Sequence, residues 1–324
     1  VTPSLAADMA FTSWGGTTQD AQKAAWADPF TKASGVNVLQ DGPTDYGKLK
    51  AMVESGNVSW DVVDVEYDFA LAAAKAGLLE PIDFSVVDKS QIDPRFVTDD
   101  AVGSFYYSFV LGYNKDVLKE EPKTWADLFD TAKFPGKRGM YKWGAGMWEA
   151  LLMADGVAPA DLYPLNIERA HKKLEGFKAN VAGYWGGGAE SQSMLMNGDA
   201  SMVLVWSTRA KLLEQDSGGD ISFIWDQGLI APGSMAVIKG NPGGAEAAMK
   251  FIASAQDPAK QVVMFNMLAQ GPANPATDAL LPPEDTRYNP VDPANMAKQI
   301  PLNMDWYETN YGPALDAYLA IISA

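Results

Sequence analysis

The sequence lacks cysteine altogether and has one histidine among its 324 residues. Disulfide bonds, thiolate zinc sites and cysteine nucleophiles are therefore excluded. A catalytic triad could take its histidine base only from that single residue. The one histidine, His171, sits beside Lys172 and Lys173 in a polar segment, so we expect a solvated surface position for it. No apolar run approaches the roughly 20 residues that a membrane-spanning helix needs. No bound metal or cofactor is predicted.

Basic residues are scarce as well: 25 Lys and Arg stand against 41 Asp and Glu, which gives a formal net charge of −16. Phosphate binding needs clustered Lys and Arg, so nucleic acid is not expected as a partner. The glycine-rich stretches 144–146 and 186–188 lack the spacing of phosphate-binding loops, and carboxylate pairs such as Asp61 and Asp64 are common in an acidic chain. These features do not support an enzymatic reaction, so the protein is not expected to be an enzyme; an enzyme on the same fold is kept as an alternative.

Strands and helices alternate along the first part of the chain, and glycine follows several of the helices. The pattern predicts strands at 9–14, 36–40 and 61–65 and helices at 19–33, 46–55 and 69–76. Alternation of this kind builds a parallel sheet with helices on both faces. The fold class predicted is therefore α/β.

Two long apolar stretches, 104–114 and 234–238, bracket the middle of the chain. They predict two crossover strands between two lobes, with the middle of the chain inserted as the second lobe. We expect lobe 1 to contain residues 1–109 and 236–290, and lobe 2 to contain residues 110–235 and 291–324. In this division, the C-terminal segment can contact both lobes. The ligand cleft is predicted between the lobes, because ligands of open α/β sheets bind beyond the carboxyl ends of the strands.

Aromatic and charged residues follow several of the predicted strands at the point where each strand ends. Aromatic faces attract organic cations by roughly 0.5–2 kcal/mol per contact, and an arginine offers a two-pronged donor to a carboxylate. The candidate ligand-binding residues are Trp14, Gly15, Gly16, Glu66, Tyr67, Tyr106, Trp206, Arg209, Asp226 and Trp306.

Three of these candidates also have an ordinary structural interpretation. Trp206 could cap the core, Arg209 could lie on a helix surface, and Asp226 could belong to a turn or a helix N-cap. Their occurrence at adjacent strand ends favours a binding role. In that role Arg209 holds a carboxylate group, Asp226 holds an ammonium group, and Trp206 lies beside them.

Several segments match one family. The stretch 124–130, Thr-Trp-Ala-Asp-Leu-Phe-Asp, is followed by Lys-Phe-Pro-Gly-Lys-Arg at 133–138. Together with the segments 150–157, 192–198 and 270–274, and the Tyr-Pro-Leu at 163–165, these stretches resemble extracellular solute-binding proteins of ABC importers. The resemblance is to the polyamine and 4-aminobutyrate-type group and covers nearly the whole chain.

This resemblance implies a two-lobed periplasmic-binding fold of type II that closes over a small-molecule solute. It also implies a monomer that serves an ABC transporter permease of the inner membrane. The first residues, 1–8, are similar to the remnant of a signal-peptide cleavage region, which predicts a periplasmic location.

The resemblance bears on the ligand as well. Trp206 and Arg209 match a Trp-x-x-Arg segment that members for amino-acid-like solutes use near the carboxylate. The Trp-x-Asp that grips an amine in polyamine binders is replaced by Ala-Pro-Gly at 231–233. A compact zwitterion such as 4-aminobutyrate is therefore expected. A polyamine or betaine, and the role of a sensor ectodomain, are the alternatives left open.

Overall fold

The computed structural model describes residues 7–324, so most of the predicted signal-peptide remnant lies outside the described residues. The strands are β1 (Asp8–Thr12), β2 (Asn37–Asp41), β3 (Val62–Glu66), β4 (Leu79–Glu80), β5 (Val102–Asn114), β6 (Arg138–Tyr141), β7 (Val181–Trp185), β8 (Met202–Trp206), β9 (Ile221–Ile238), β10 (Gly271–Pro272) and β11 (Ile300–Pro301). The α-helices are α1 (Gly16–Gln22), α2 (Asp28–Ser34), α3 (Tyr46–Ser55), α4 (Tyr67–Lys75), α5 (Trp125–Leu128), α6 (Met147–Ala154), α7 (Ile167–Phe177), α8 (Gly188–Met196), α9 (Ser207–Asp216), α10 (Ala245–Ala255), α11 (Pro258–Leu268), α12 (Pro293–Met296) and α13 (Met304–Ile322). Among these helices, none combines the length and the apolar character needed to cross a bilayer.

The chain divides into two compact units. Unit 1 comprises the described part of Val1–Tyr106 together with Pro232–Asn289, and unit 2 comprises Tyr107–Ala231 and Pro290–Ala324. A boundary between the units falls inside each of the two long strands, β5 and β9. The division expected from the sequence had its boundaries at 109, 235 and 290.

In unit 1, β1 lies between β2 and β3 and runs parallel to both, and β3 pairs with β9 in the antiparallel direction. The residues Val62, Val63 and Val65 of β3 are all 1% exposed or less. β-Branched side chains favour extended backbone, and a strand covered on both faces reads as a continuous apolar run. Because β1 and β3 are parallel, their carboxyl ends meet at one edge of the sheet.

In unit 2, β6 lies between β7 and β8 and runs parallel to both, and β8 pairs with β5 in the antiparallel direction. Each of the three parallel strands ends in an aromatic residue: Tyr141, Trp185 and Trp206. Helices α5 to α9 and the C-terminal helix α13 belong to the same unit. The carboxyl edge of this sheet is therefore aromatic.

The Lys-Phe-Pro-Gly-Lys-Arg segment ends at Arg138, whose side chain is completely buried. Its guanidinium group donates to the carbonyl oxygens of Leu128 (2.5 Å), Phe134 (2.7 Å) and Gly136 (2.9 Å) and to the hydroxyl of Ser201 (3.1 Å). Burial lowers the pKa of Arg138 to about 10. Its role is to hold the loop that precedes β6, because a buried guanidinium needs all its donors satisfied.

The strand end expected at Asp226 and the solvated position expected for His171 were both wrong. The backbone continues as a strand through Asp226 and Gln227, which takes a positive φ of 57°, within the 18-residue β9. His171 is only 8% exposed, because its side of α7 packs on α6, where its Nε2 accepts a hydrogen bond from the Trp148 indole at 2.9 Å.

Candidate functional site

The turn after β1 is shaped by two glycines. Gly15 and Gly16 have positive φ angles of 73° and 54°, which residues with a side chain rarely adopt. The N–H of Gly15 donates to Oε1 of Gln19 at 3.0 Å, and α1 begins at once with Gly16. This sharp turn leaves the half-buried side chain of Trp14 at the carboxyl edge of the sheet.

Tyr46, a residue that sequence reasoning missed, connects Trp14 with the end of β3. Its ring meets Trp14 edge-on with centroids 6.1 Å apart and stacks on Phe69 at 3.6 Å. Its hydroxyl accepts a hydrogen bond from the backbone N–H of Glu66 at 3.1 Å. The contact is tertiary, since Tyr46 is the first residue of α3. The structure therefore brings Trp14 and Glu66 into one group.

Two acidic side chains stand where α4 follows β3. Glu66 is the N-cap residue and Asp68 lies in the first turn, and both are half-buried. Loss of hydration, and then the charge of Asp68, raises the pKa of Glu66, and loss of hydration also raises the pKa of Asp68. Within the described residues neither forms an ion pair with Lys or Arg. A cation is the partner that such a pair favours.

A second aromatic group in unit 1 contains the other two candidates. The rings of Tyr67 and Tyr106 both contact Phe96 edge-on, with centroids 6.0 Å and 4.5 Å apart. Tyr106 is buried, and its hydroxyl finds no hydrogen-bond partner in the described part of the chain. Burial raises the pKa of Tyr106, so the phenol stays protonated.

In unit 2 the three aromatic strand ends pack against one another. The ring of Trp206 lies 4.8 Å from Trp185 and 5.7 Å from Tyr141, and the rings of Tyr141 and Trp185 are 4.6 Å apart. The indole of Trp185 donates to the carbonyl of Leu204 at 2.8 Å. The buried Nε1 of Trp206 has no acceptor among residues 7–324. Trp206 thus joins an aromatic cluster and keeps an unused donor.

Arg209 follows Trp206 on α9 and lies across the start of α8. Its Nη1 donates to Oε1 of Gln192 at 3.0 Å, and no carboxylate in the described residues pairs with it. The guanidinium has this room because residue 188 is glycine: a Cβ at Gly188 would stand 2.6 Å from Cζ of Arg209. Burial lowers the pKa of Arg209. A half-buried guanidinium with one neutral acceptor is suited to an anionic ligand.

Two candidates from the sequence, Asp226 and Trp306, belong to none of the groups described above. Asp226 is exposed and lies inside β9 rather than after a strand end, because the strand continues through Gln227. Trp306 lies on α13, where its ring contacts Trp148 and Tyr307 in another aromatic cluster.

Sequence reasoning also missed Asp68, Tyr141, Trp185 and Gln192. A signal existed for two of them, because Tyr141 and Trp185 end short apolar stretches in the same way as Trp206. For Asp68 and Gln192 the local sequence has no comparable signal. No group of three or more His, Cys, Asp or Glu side chains able to hold a metal ion occurs in the region that the structure describes.

Residues 25–290 match the family model of bacterial extracellular solute-binding proteins. A gamma-aminobutyric acid-binding protein of Pseudomonas aeruginosa is 35% identical over 291 residues, which cover 88% of this chain and 82% of that protein. The solved structure of the GABA receptor Atu4243 is 49% identical with a TM-score of 0.92, and 97% of both chains is covered. An ABC transporter substrate-binding protein from Bradyrhizobium japonicum is 34% identical with a TM-score of 0.91, covering 98% of this chain and 99% of the other.

Proposed function

Because the chain belongs to the family of bacterial extracellular solute-binding proteins, we propose that it captures a short zwitterion of the 4-aminobutyrate type for an ABC importer. The observation that carries this proposal is Arg209, a half-buried guanidinium without a carboxylate partner in the described residues. It lies in the first turn of α9, directly after Trp206, one of the three aromatic strand ends that pack together. We place the protein in the periplasm, as a monomer that hands its solute to the permease without chemical change.

The carboxylate half-site is the group in unit 2 formed by Tyr141, Trp185, Gln192, Trp206 and Arg209. In the proposal the solute carboxylate accepts hydrogen bonds from the guanidinium of Arg209, and Gln192 holds that guanidinium in place. The unused indole N–H of Trp206 supplies a further donor at the same edge. The aromatic rings exclude water, which strengthens a charge-assisted hydrogen bond.

The ammonium half-site is the group in unit 1 formed by Trp14, Tyr46, Glu66 and Asp68. Two carboxyl groups with raised pKa values lie at the start of α4, and an ammonium group nearby favours their ionised forms. The faces of Trp14 and Tyr46 add cation–π attraction. We assign the ammonium group to this half-site rather than to Asp226, because Asp226 is exposed.

The proposed solute carries one charge that suits each half-site: a carboxylate for the group in unit 2 and an ammonium for the group in unit 1. The names of two relatives, a gamma-aminobutyric acid-binding protein and a GABA receptor, support the same class of ligand. A polyamine has no carboxylate for Arg209, and a betaine has no N–H to donate to Glu66 or Asp68.

Thermal unfolding in the presence of a panel of solutes tests the proposal. The panel contains 4-aminobutyrate, short α-amino acids, putrescine, spermidine and glycine betaine. At a concentration one hundred times its Kd, a ligand stabilises the folded state by about 2.7 kcal/mol, which corresponds to several degrees in Tm. We expect this shift with 4-aminobutyrate and not with the polyamines. A shift confined to polyamines or betaine, or no shift at all, contradicts the proposed ligand.

A further inference from the structure

The carboxyl group of Glu149 is a buried acid of unit 2 that neither half-site uses. It lies in the first turn of α6 and has no solvent exposure. Its Oε1 accepts hydrogen bonds from the hydroxyls of Tyr307 at 2.6 Å and Tyr163 at 2.9 Å. Its Oε2 is buried without a partner in the described chain. Two donors on one oxygen and none on the other leave the charged form poorly compensated.

Two titratable hydroxyl groups reach the carboxyl group of Glu149: Tyr307 on α13 and Tyr163 in the segment before α7. His171 of α7 contacts the neighbouring residue Trp148, from whose indole N–H it accepts a hydrogen bond. Among residues 7–324, no basic side chain forms an ion pair with the carboxylate. Burial raises the pKa of Glu149, and hydrogen bonds from Tyr307, Tyr163 and the backbone of Glu149 and Gly146 offset part of that rise.

The helix α13 also fastens the segment between β6 and α6. Tyr318 donates to the carbonyl of Tyr141 at 2.6 Å, and Tyr311 donates to the carbonyl of Trp143 at 2.8 Å. With Tyr307 on Glu149, three tyrosines of one helix hold residues 141–149. The ring of Tyr141 is part of the carboxylate half-site, so the position of this segment affects that half-site directly.

Tyr307 connects Glu149 to the same segment. Its hydroxyl oxygen accepts the backbone N–H of Gly146, the N-cap of α6, at 3.3 Å. Gly146 lies close to Phe109, since a Cβ there would be 2.9 Å from the Phe109 ring. Phe109 in turn packs on Tyr141 at 5.3 Å and pairs in register with Trp206. A change at the Glu149–Tyr307 hydrogen bond therefore reaches the half-site through packed side chains.

We propose that Glu149 is a positioning residue for the carboxylate half-site, and that its protonated form holds Tyr307 and the turn at 142–146 in the arrangement that places Tyr141 against Trp206. This inference rests on the proposed function. As the pH rises and Glu149 loses its proton, the buried anion no longer tolerates an unpaired oxygen, and the turn loosens. Affinity for the solute then falls.

Isothermal titration calorimetry with 4-aminobutyrate tests this on three chains: wild type, Glu149→Gln and Glu168→Gln. Glutamine mimics the protonated acid, because its Oε1 still accepts from both tyrosines. Glu168 is the matched control, an exposed glutamate in the first turn of α7. As the pH rises through the raised pKa of Glu149, the wild-type affinity should fall relative to that of Glu149→Gln by a factor on the order of ten. Glu168→Gln should follow wild type throughout. A constant ratio between wild type and Glu149→Gln overturns the inference.

A measurement without ligand separates this inference from the proposed function. Hydrogen exchange of the 141–149 segment is followed over the same pH range and corrected for the intrinsic rate. Protection should decrease with pH in wild type and in Glu168→Gln, and stay constant in Glu149→Gln. If no variant binds 4-aminobutyrate, the proposed function fails, and this pH-dependent protection alone decides whether Glu149 positions the turn. If protection in the wild-type protein is the same at all pH values, the inference is overturned. This result needs only the wild-type protein, so it holds even if Glu149→Gln does not fold.

Discussion

Replacing Arg209 by alanine is expected to weaken the binding of 4-aminobutyrate by about 2–3 kcal/mol, or about 30- to 150-fold in Kd. The figure lies toward the lower end of the cost of leaving a buried charge unpaired, because the guanidinium is half-buried. Arg209 is not paired with a carboxylate in the described structure, and it donates a hydrogen bond to the neutral Gln192. Removing the Arg209 side chain should therefore change the stability of the folded state little and should mainly lower the affinity for the ligand.

Titration calorimetry of wild type and Arg209→Ala with two ligands makes this measurement specific. Butylamine has the amine of 4-aminobutyrate but no carboxylate, so Arg209→Ala should leave its affinity unchanged. Arg169→Ala is the control, since Arg169 forms an exposed ion pair with Asp155 and is 44% exposed. An equal loss for both ligands, or unchanged affinity for 4-aminobutyrate, refutes the assignment of Arg209 to the carboxylate.

Gly188, Arg138 and the Glu66–Asp68 pair each support one further prediction. Gly188→Ala should weaken 4-aminobutyrate binding at least about tenfold in calorimetry and leave Tm nearly unchanged, because the new Cβ displaces only the flexible side chain of Arg209. Arg138→Met should lower the free energy of unfolding by about 2–4 kcal/mol in urea titration, since buried carbonyl oxygens lose their donors; an unaltered midpoint contradicts that role. The affinity of the Glu149→Gln variant for 4-aminobutyrate should rise between about pH 5 and about pH 8. The reason is that the carboxyl groups of Glu66 and Asp68 have raised pKa values and become negatively charged only in that range. An affinity that does not change with pH contradicts the ammonium half-site.

The family and the α/β class were predicted from the sequence, and both are confirmed. Apolar strands followed by glycine and an amphipathic helix are local patterns, and they placed β1 to β3 within a few residues. The two-lobed fold is confirmed by the likeness to solved binding proteins. The monomeric state and the site residues remain predictions, and the experiments above address the site residues.

The candidate site was harder to predict, because its geometry depends on tertiary contacts. The Tyr46 hydroxyl accepts a hydrogen bond from the backbone N–H of Glu66, and no local sequence pattern predicts such a contact. Asp226 was expected at a strand end because it follows the apolar stretch 221–224, whereas β9 continues through the polar residues 226 and 227. His171 was expected in solvent because its helix is polar, whereas the Trp148 indole needs an acceptor inside the unit.

Calorimetry of the wild-type protein with 4-aminobutyrate, butyrate and butylamine tests most directly the claim that the protein captures a short zwitterion through two charged half-sites. Loss of either charge should weaken binding by about 2 kcal/mol or more, because it leaves Arg209 or the Glu66–Asp68 pair without its partner. The account predicts tight binding of 4-aminobutyrate and at least about 30-fold weaker binding of each of the other two. Equal affinity for 4-aminobutyrate and either singly charged analogue would contradict it.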